Sequence, residues 1–280
     1  MHTDVSNIKI NLTLDILNLR GDSYHNIDSL FLEVDYGDQI SFDPTSVFPI
    51  KVKGFDVPED DSNLVCQAHS LFCKHFDIKK EGGFNLHKKI PPGSGFGSGS
   101  SNAWSVFKIL SNFYGLKIDN DDLQDIATRV GSDVFYFSQG GACRVSGLGE
   151  DIEKVQVESN GFQVVFGTID EPVLTSDAYE WWDLSGFESA NSTDSFFSSL
   201  SISKLGKDSI LNDLERVICL KREKMKFFLD SYRKDYGFIS MTGSGNGIFT
   251  FCKRGSDLNN VMSFFEKHCD YGPKMGSLII

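Results

Sequence analysis

The sequence predicts an α+β protein built on antiparallel sheets. Strand-like and helix-like segments follow one another along 280 residues without the regular alternation of a doubly wound parallel sheet. A glycine–serine run also feeds directly into an amphipathic helix. The length is near the size at which one core stops growing and a second lobe forms.

Ile8, Ile10, Leu12 and Leu14 alternate with Asn7, Lys9, Asn11 and Thr13, the period of a strand, so Lys9, Asn11 and Thr13 share the face opposite the apolar set. Residues 27–34 and 39–42 read as a second and a third strand. Ser62-Asn63 is placed to cap a helix with the stripe Leu64, Ala68, Leu71, Phe72 and Phe76. A strand at 84–90 leads into the glycine run, after which Ala103, Val106, Phe107, Leu110 and Phe113 recur at helical spacing. Asp119 to Asp122 start a helix through Leu123, Ile126, Ala127 and Val130 that Gly131 ends, and Asp133 follows on a turn. Farther on come a strand at 162–166, a long helix at 212–232, strands at 238–241 and 247–252, a helix at 258–268 and a terminal strand. Residues 185–202, rich in Ser and Asn, read as a mobile loop.

Forty per cent apolar and 24% charged residues describe an ordinary globular chain, and a net charge of −12 opposes general binding to nucleic acid or a membrane surface. A phosphate-binding protein this acidic must concentrate its lysines locally. The start shows no charged-then-apolar signal segment, and no apolar run approaches about 18 residues. The six cysteines are scattered without a C-x-x-C pair, which fits reduced thiols in a cytoplasmic protein.

The run Pro91-Pro92-Gly93-Ser94-Gly95-Phe96-Gly97-Ser98-Gly99-Ser100-Ser101-Asn102-Ala103 carries the functional signal. Its glycines allow positive φ and close approach of a ligand, and a helix N-terminus behind them favours anions. A P-loop is excluded, because Ser100-Ser101 follows Gly99 and the only Gly-Lys pair, Gly206-Lys207, runs into Asp208. The G-x-G-x-x-G spacing fails from every starting glycine, and neither an HRD nor a DFG triplet is present. A flexible linker is the plain alternative, opposed by the stiff Pro91-Pro92 entry and the immediate helix.

This run resembles the second motif of the GHMP kinases, and its Gly-x-Gly-Ser-Ser-Asn form resembles their diphosphocytidyl-methylerythritol kinase branch. The likeness extends in order along nearly the whole chain. It implies a two-lobed fold: an N-terminal lobe like domain 2 of ribosomal protein S5, and a ferredoxin-like C-terminal lobe. Residues 1–152 would bind ATP and carry catalysis, while 153–280 would contribute to the substrate cleft. ATP would lie on Pro92, Gly93, Ser94, Gly95, Phe96, Gly97, Ser98, Gly99, Ser100 and Ser101. Asn63 and Lys88 match positions on the adenine side, and Gly243, Ser244 and Gly245 match the family's third motif, which packs on the glycine loop.

Within Asn7-Ile8-Lys9-Ile10-Asn11-Leu12, the resemblance makes Lys9 a catalytic lysine beside the reacting hydroxyl and Asn11 a substrate contact. It makes Asp133 the catalytic carboxylate, a role that suits alcohol phosphorylation because an ammonium keeps the carboxylate ionised. Asp22-Ser23-Tyr24-His25 resembles the family's Asp-Gly-Tyr-His segment, which receives cytosine; Thr175 would approach the substrate phosphates, and Tyr179 would stack opposite Tyr24, with Trp181 and Trp182 as competitors. Asn212-Asp213-Leu214-Glu215 matches a signature read as structural. Ile8, Ser23, Ser98, Phe135 and Asn246-Gly247 depart from the family pattern.

The resemblance implies ATP-dependent phosphorylation of the 2-hydroxyl of a cytidine diphosphate-linked methylerythritol in non-mevalonate isoprenoid synthesis. Mg²⁺ is expected to ride on the nucleotide, since no carboxylate cluster marks a metal cage. The partners expected are the small polyol substrate, neither nucleic acid nor membrane, and at most a weak homodimer. The rivals are another small-molecule kinase of the superfamily, acting on homoserine or mevalonate, and a catalytically silent nucleotide-binding homologue.

Overall fold

The computed structural model describes residues 2–198, 201–253 and 255–280. Its chain divides into two units. The first holds residues up to Ile8, Tyr36–Pro92 and Gly97–Gly140; the second holds Lys9–Asp35, Gly93–Phe96 and Gly141–Ile280.

Two long strands contribute residues to both units: β1, His2–Leu19, and β2, His25–Asp43. The expected second and third strands are therefore one. At Gly37, between them, a Cβ would lie 1.8 Å from the Ser6 carbonyl oxygen. That glycine permits close approach of neighbouring backbone and does not reverse the chain.

In the first unit, β4 (Gly83–Lys88) lies parallel to β3 (Ile50–Gly54) and antiparallel to the Gln39–Asp43 stretch of β2. Helices α1 (Leu64–His75), α2 (Ser98–Tyr114), α3 (Asn120–Val130) and α4 (Val134–Gln139) pack on one another, α1 against α2 and α3, and α2 against α4. The caps are those the sequence announces: the Asn63 side chain accepts from Val65 N and Asp119 from Asp122 N. Gly115 ends α2 at φ 68°. The run after Asp133 is the helix α4.

In the second unit, the 27–32 part of β2 pairs antiparallel with β5 (Ala142–Gly147), which pairs with β6 (Asp151–Lys154). A further antiparallel series runs β10 (Tyr271–Ile279), β7 (Gln163–Thr168), β9 (Gly247–Cys252) and β8 (Ser240–Met241). Helices α5 (Thr175–Ser185), α7 (Asp213–Lys221), α8 (Glu223–Tyr236) and α9 (Ser256–His268) supply Trp182, Leu214, Phe228, Tyr232 and Phe265 to a core shared with Leu14 and Ile16 of β1. The expected long helix at 212–232 is two helices, broken at Arg222, whose φ of −127° and ψ of 92° are extended.

The polar face of β1 is covered as well as the apolar one: Lys9, Asn11, Thr13 and Asp15 are all buried. One further expectation is corrected. The serine-rich 185–202 segment carries helix α6, Ser192–Phe197, and a 3₁₀ turn at Ile202–Lys204; Ser199 and Leu200 lie outside the described residues. Its small polar residues satisfy that buried face. Ser192 N and Thr193 N donate to the Asp15 carboxylate at 2.8 and 2.7 Å, and Thr193 Oγ1 meets Thr13 Oγ1 at 2.8 Å.

Candidate active site

The second unit brings the first and third motifs onto the Gly93–Phe96 turn. Gly95 has φ 85°, and a Cβ there would lie 2.1 Å from the Thr242 carbonyl oxygen. A Cβ on Gly245 would lie 2.4 Å from the Ser94 carbonyl carbon, and one on Gly247 2.3 Å from the Ser94 oxygen. Backbone thus meets backbone, and Gly247 N donates to Ser94 O at 2.8 Å. Asn212 positions the third motif from behind, donating from Nδ2 to Gly243 O at 2.9 Å while its Oδ1 caps α7.

Lys9 is tied to the same turn, its N–H donating to Phe96 O at 3.0 Å. Its ammonium, on a residue only 4% exposed, donates to Asn11 Oδ1 at 2.6 Å and sits 4.2 Å from the Phe31 ring centroid. Asn11 in turn donates from Nδ2 to Ser29 Oγ at 3.1 Å, and its backbone N–H donates to Thr242 Oγ1 at 3.0 Å. Residues i and i+2 of a strand face the same side, which is why one hydrogen bond joins Lys9 and Asn11. Ser29 and Thr242 escaped the sequence reading, since each is an ordinary hydroxyl until the fold places it beside Asn11.

The segments expected to receive the base also lie in this unit. Asp22 Oδ1 accepts from Tyr24 N at 3.2 Å, and Tyr24 is 64% exposed. His25 is buried; its Nε2 lies 2.9 Å from Asp183 Oδ1, and its ring stacks on Tyr179 at 5.5 Å and 27°. Trp182 belongs to the core, Trp181 and Tyr179 both pack against it, and Tyr179 is the one whose ring stacks on His25 among the described contacts. Thr175 begins α5 and shares a 2.8 Å hydrogen bond with Ser244 of the third motif.

The first unit carries the remaining candidates. Helix α2 starts at Ser98 behind Gly97, whose φ is 68°, so Ser98, Gly99, Ser100 and Ser101 form its first turn instead of a continuing loop. The first intrahelical bond runs from Ser101 N to Gly97 O at 3.0 Å, which leaves the N–H groups ahead of it at the positive end of the helix. Serine at 98 costs no backbone strain, because its φ is not positive and its Oγ accepts from Lys88 Nζ at 2.7 Å. Lys88, 4% exposed, ion-pairs with Asp38 at 2.5 Å. Burial pushes the Lys88 ammonium below its ordinary pKa, and Asp38 opposes the fall.

Asp38 also accepts from Lys89 N at 2.7 Å, Ile90 N at 3.0 Å and Asn102 Nδ2 at 3.1 Å. It is thus the post on which strand β4 and helix α2 are fixed, and nothing in the sequence sets it apart from Asp35 or Asp43. Asn63 caps α1, and a Cβ on Gly99 would touch Leu64 at 3.2 Å. Asp133 is half-buried at the N-cap position of α4 and makes no capping bond to that helix. A Cβ on Gly131, two residues earlier, would lie 3.6 Å from Ser100 Oγ. Among the described residues, no group of three His, Cys, Asp or Glu side chains could hold a metal ion, and no helix is long and apolar enough to cross a membrane.

Residues 63–141 match the family model of the GHMP kinases N terminal domain. A 4-diphosphocytidyl-2-C-methyl-D-erythritol kinase of Caldanaerobacter subterraneus subsp. tengcongensis is 32% identical over 244 residues, covering 86% of this chain and 84% of that one. The kinase of the same name from Thermoanaerobacter sp. is 29% identical, covering 94% and 95%. Among solved structures, a 4-(cytidine 5'-diphospho)-2C-methyl-D-erythritol kinase superposes with a TM-score of 0.72 at 23% identity, over 99% of both chains. Mevalonate kinase of Methanococcus jannaschii shares the fold at a TM-score of 0.62 and 13% identity, over 99% of this chain and 98% of that one. The chain belongs to the 4-diphosphocytidyl-2-C-methyl-D-erythritol kinase family of the GHMP kinases.

Proposed function

We infer that the protein transfers the γ-phosphoryl group of ATP to the 2-hydroxyl of 4-diphosphocytidyl-2-C-methyl-D-erythritol, a step in non-mevalonate isoprenoid synthesis. The observation that carries this reading is the buried Lys9–Asn11 pair, hydrogen-bonded through the Lys9 backbone to the Gly93–Phe96 turn. An ammonium held there offsets charge that develops on a transferring oxygen, and it costs no reorganisation when the reaction occurs. The relatives named for this substrate support the choice of acceptor over homoserine or mevalonate.

In this reading Pro92, Gly93, Ser94, Gly95, Phe96, Gly97 and the first turn of α2 hold the triphosphate, with Gly243, Ser244 and Gly245 completing the cradle. Asn63 lies toward the adenine, and Lys88 acts from beneath α2 through Ser98. Lys9 offsets charge at the acceptor oxygen, and Asp133 orients the hydroxyl and accepts its proton. Asn11, Tyr24, His25, Thr175 and Tyr179 bind the acceptor. The first turn of α2 carries the hydroxyls of Ser98, which Lys88 engages, and of Ser100 and Ser101; the latter two are hard donors of the kind Mg²⁺ would accept while it remained largely on phosphate and water. When bound, Mg²⁺ neutralises phosphate charge. Residues 1–152 would bind ATP and carry catalysis, and 153–280 would contribute to the substrate cleft. A cytoplasmic location goes with this reading and is supported by six free cysteines.

The test is an acceptor panel. With Mg-ATP, phosphoryl transfer to the cytidylyl compound is expected, and none to mevalonate or homoserine. Transfer to either of those alone would replace the acceptor named here, and ATP binding without transfer to any acceptor would favour the silent homologue.

A further inference from the structure

We propose that Ser29 is a positioning residue for phosphoryl transfer: its hydroxyl can only accept from Asn11, and so it fixes the Asn11 amide with its oxygen on the Lys9 ammonium. The inference rests on the function proposed above and concerns what holds the lysine of that site in place.

The placement of protons carries it. Ser29 Oγ donates to the Thr13 carbonyl oxygen, and a hydroxyl has one proton to give. Toward Asn11, 3.1 Å away, Ser29 can therefore only accept, and the group it faces is the amide nitrogen Nδ2. At the other end of the same side chain, 2.6 Å away, Lys9 has protons and no acceptor, so the group it faces is Oδ1. The two requirements agree on one orientation of the amide. Turned over, Asn11 would set an amide N–H against an ammonium, and Ser29 could serve its oxygen only by releasing Thr13. Thr242 works to the same end: its hydroxyl accepts from Asn11 N at 3.0 Å and lies 3.2 Å from Oδ1.

Both strands place Ser29 for this. Lys9, Asn11 and Thr13 share one face of β1, and Ser29 and Phe31, two residues apart, share one face of β2. Phe31 lies under the ammonium at 4.2 Å while Ser29 takes the amide, so β2 serves both partners at once. Ser29 is fully buried and pairs across to Val145 of β5. Thr13 is held in its turn: its hydroxyl accepts from Leu30 N at 2.9 Å, and because Thr193 Oγ1 donates to Asp28 O, the Thr13 proton goes to Thr193. Asn11 is 2% exposed, so water does not readily replace the Ser29 oxygen. Without that oxygen a buried amide nitrogen loses its partner, the side chain turns, and the ammonium loses the Oδ1 it points at.

The experiment uses the full chain. In nitrogen-15 spectra of the native protein, the Asn11 side-chain amide protons are expected to exchange slowly with water. Fast exchange would overturn the proposal before any variant is made. Ser29→Ala is expected to lower kcat for the cytidylyl acceptor on the order of tenfold, with KM for ATP unchanged. In an Asn11→Ala background the same change is expected to cost nothing further, because the residue through which Ser29 acts is gone. Equal losses in the two backgrounds would make Ser29 a packing residue and overturn the proposal, as would an undiminished kcat in the single variant. Either result leaves the proposed reaction standing. If the native protein transferred no phosphate to the cytidylyl acceptor, that reaction would fail and take the role of Ser29 with it.

Discussion

Replacing Asp38 with Asn isolates the buried ion pair beneath the glycine-led helix. The substitution keeps the shape and one oxygen for the Lys89 and Ile90 N–H groups, but it leaves Lys88 charged at 4% exposure with no counter-ion. Breaking a buried pair on one side costs about 3–5 kcal/mol. For a protein of this size that is a fall in Tm of roughly 6–20 °C. The pH dependence has a definite sign. Lys88 already titrates below its ordinary value in the folded state, and losing Asp38 lowers it further. The unfolded chain then binds more protons than the folded one from that lowered pKa up to about 10.4, so the stability of the variant rises with pH across this window. Denaturant titrations at pH 7, 8.5 and 9.5 should show the deficit shrinking. The double variant Asp38→Asn/Lys88→Met, which buries neither charge, should recover most of it. A deficit below about 1 kcal/mol at pH 7, or one that does not change with pH, would show that Lys88 is not left as an unpaired buried charge.

His69 is fully buried against Phe42 and Phe84 with no hydrogen-bond partner on either ring nitrogen among the described residues, and burial pushes its pKa down to about 4. Its folded pKa lies below the ordinary 6.5, so it withdraws stability as pH falls from 6.5 toward 4, by about 3 kcal/mol at most. His69→Leu should flatten that part of an acid-denaturation profile, and an unchanged slope would count against it. Ser23 has φ 68°, a left-handed conformation that costs a residue with a Cβ about 1 kcal/mol. Ser23→Gly should raise the denaturant midpoint accordingly, and a lowered midpoint would show the strain is not there.

What the sequence made legible was local. Asn63 and Asp119 announced their helices because a side-chain oxygen two or three residues ahead of an N–H is enough to cap. The sequence reads Gly95 as room for a ligand, and the fold also uses it, with Gly245 and Gly247, where backbone meets backbone. Alternation along β1 separated two faces correctly but not their solvation, because the residues covering Thr13 and Asp15 come from Ser192 and Thr193, some 180 positions away. The same limit hid Asp38, whose partner Lys88 is 50 residues on, and Asp183, whose partner His25 precedes it by a whole lobe's worth of chain. The 185–202 segment misled for a related reason: serines and threonines that look like loop in isolation are the residues able to satisfy a buried carboxylate.

The role proposed for Asp133 is to accept the proton of an alcohol as phosphate is transferred to it. The direct measurement compares turnover of the cytidylyl acceptor by the native protein and by Asp133→Asn, alongside ATP affinity for each. Asp133→Asn is expected to lose about 10²–10⁴ in turnover with ATP affinity within a few-fold of native. Near-native turnover by the variant would contradict it.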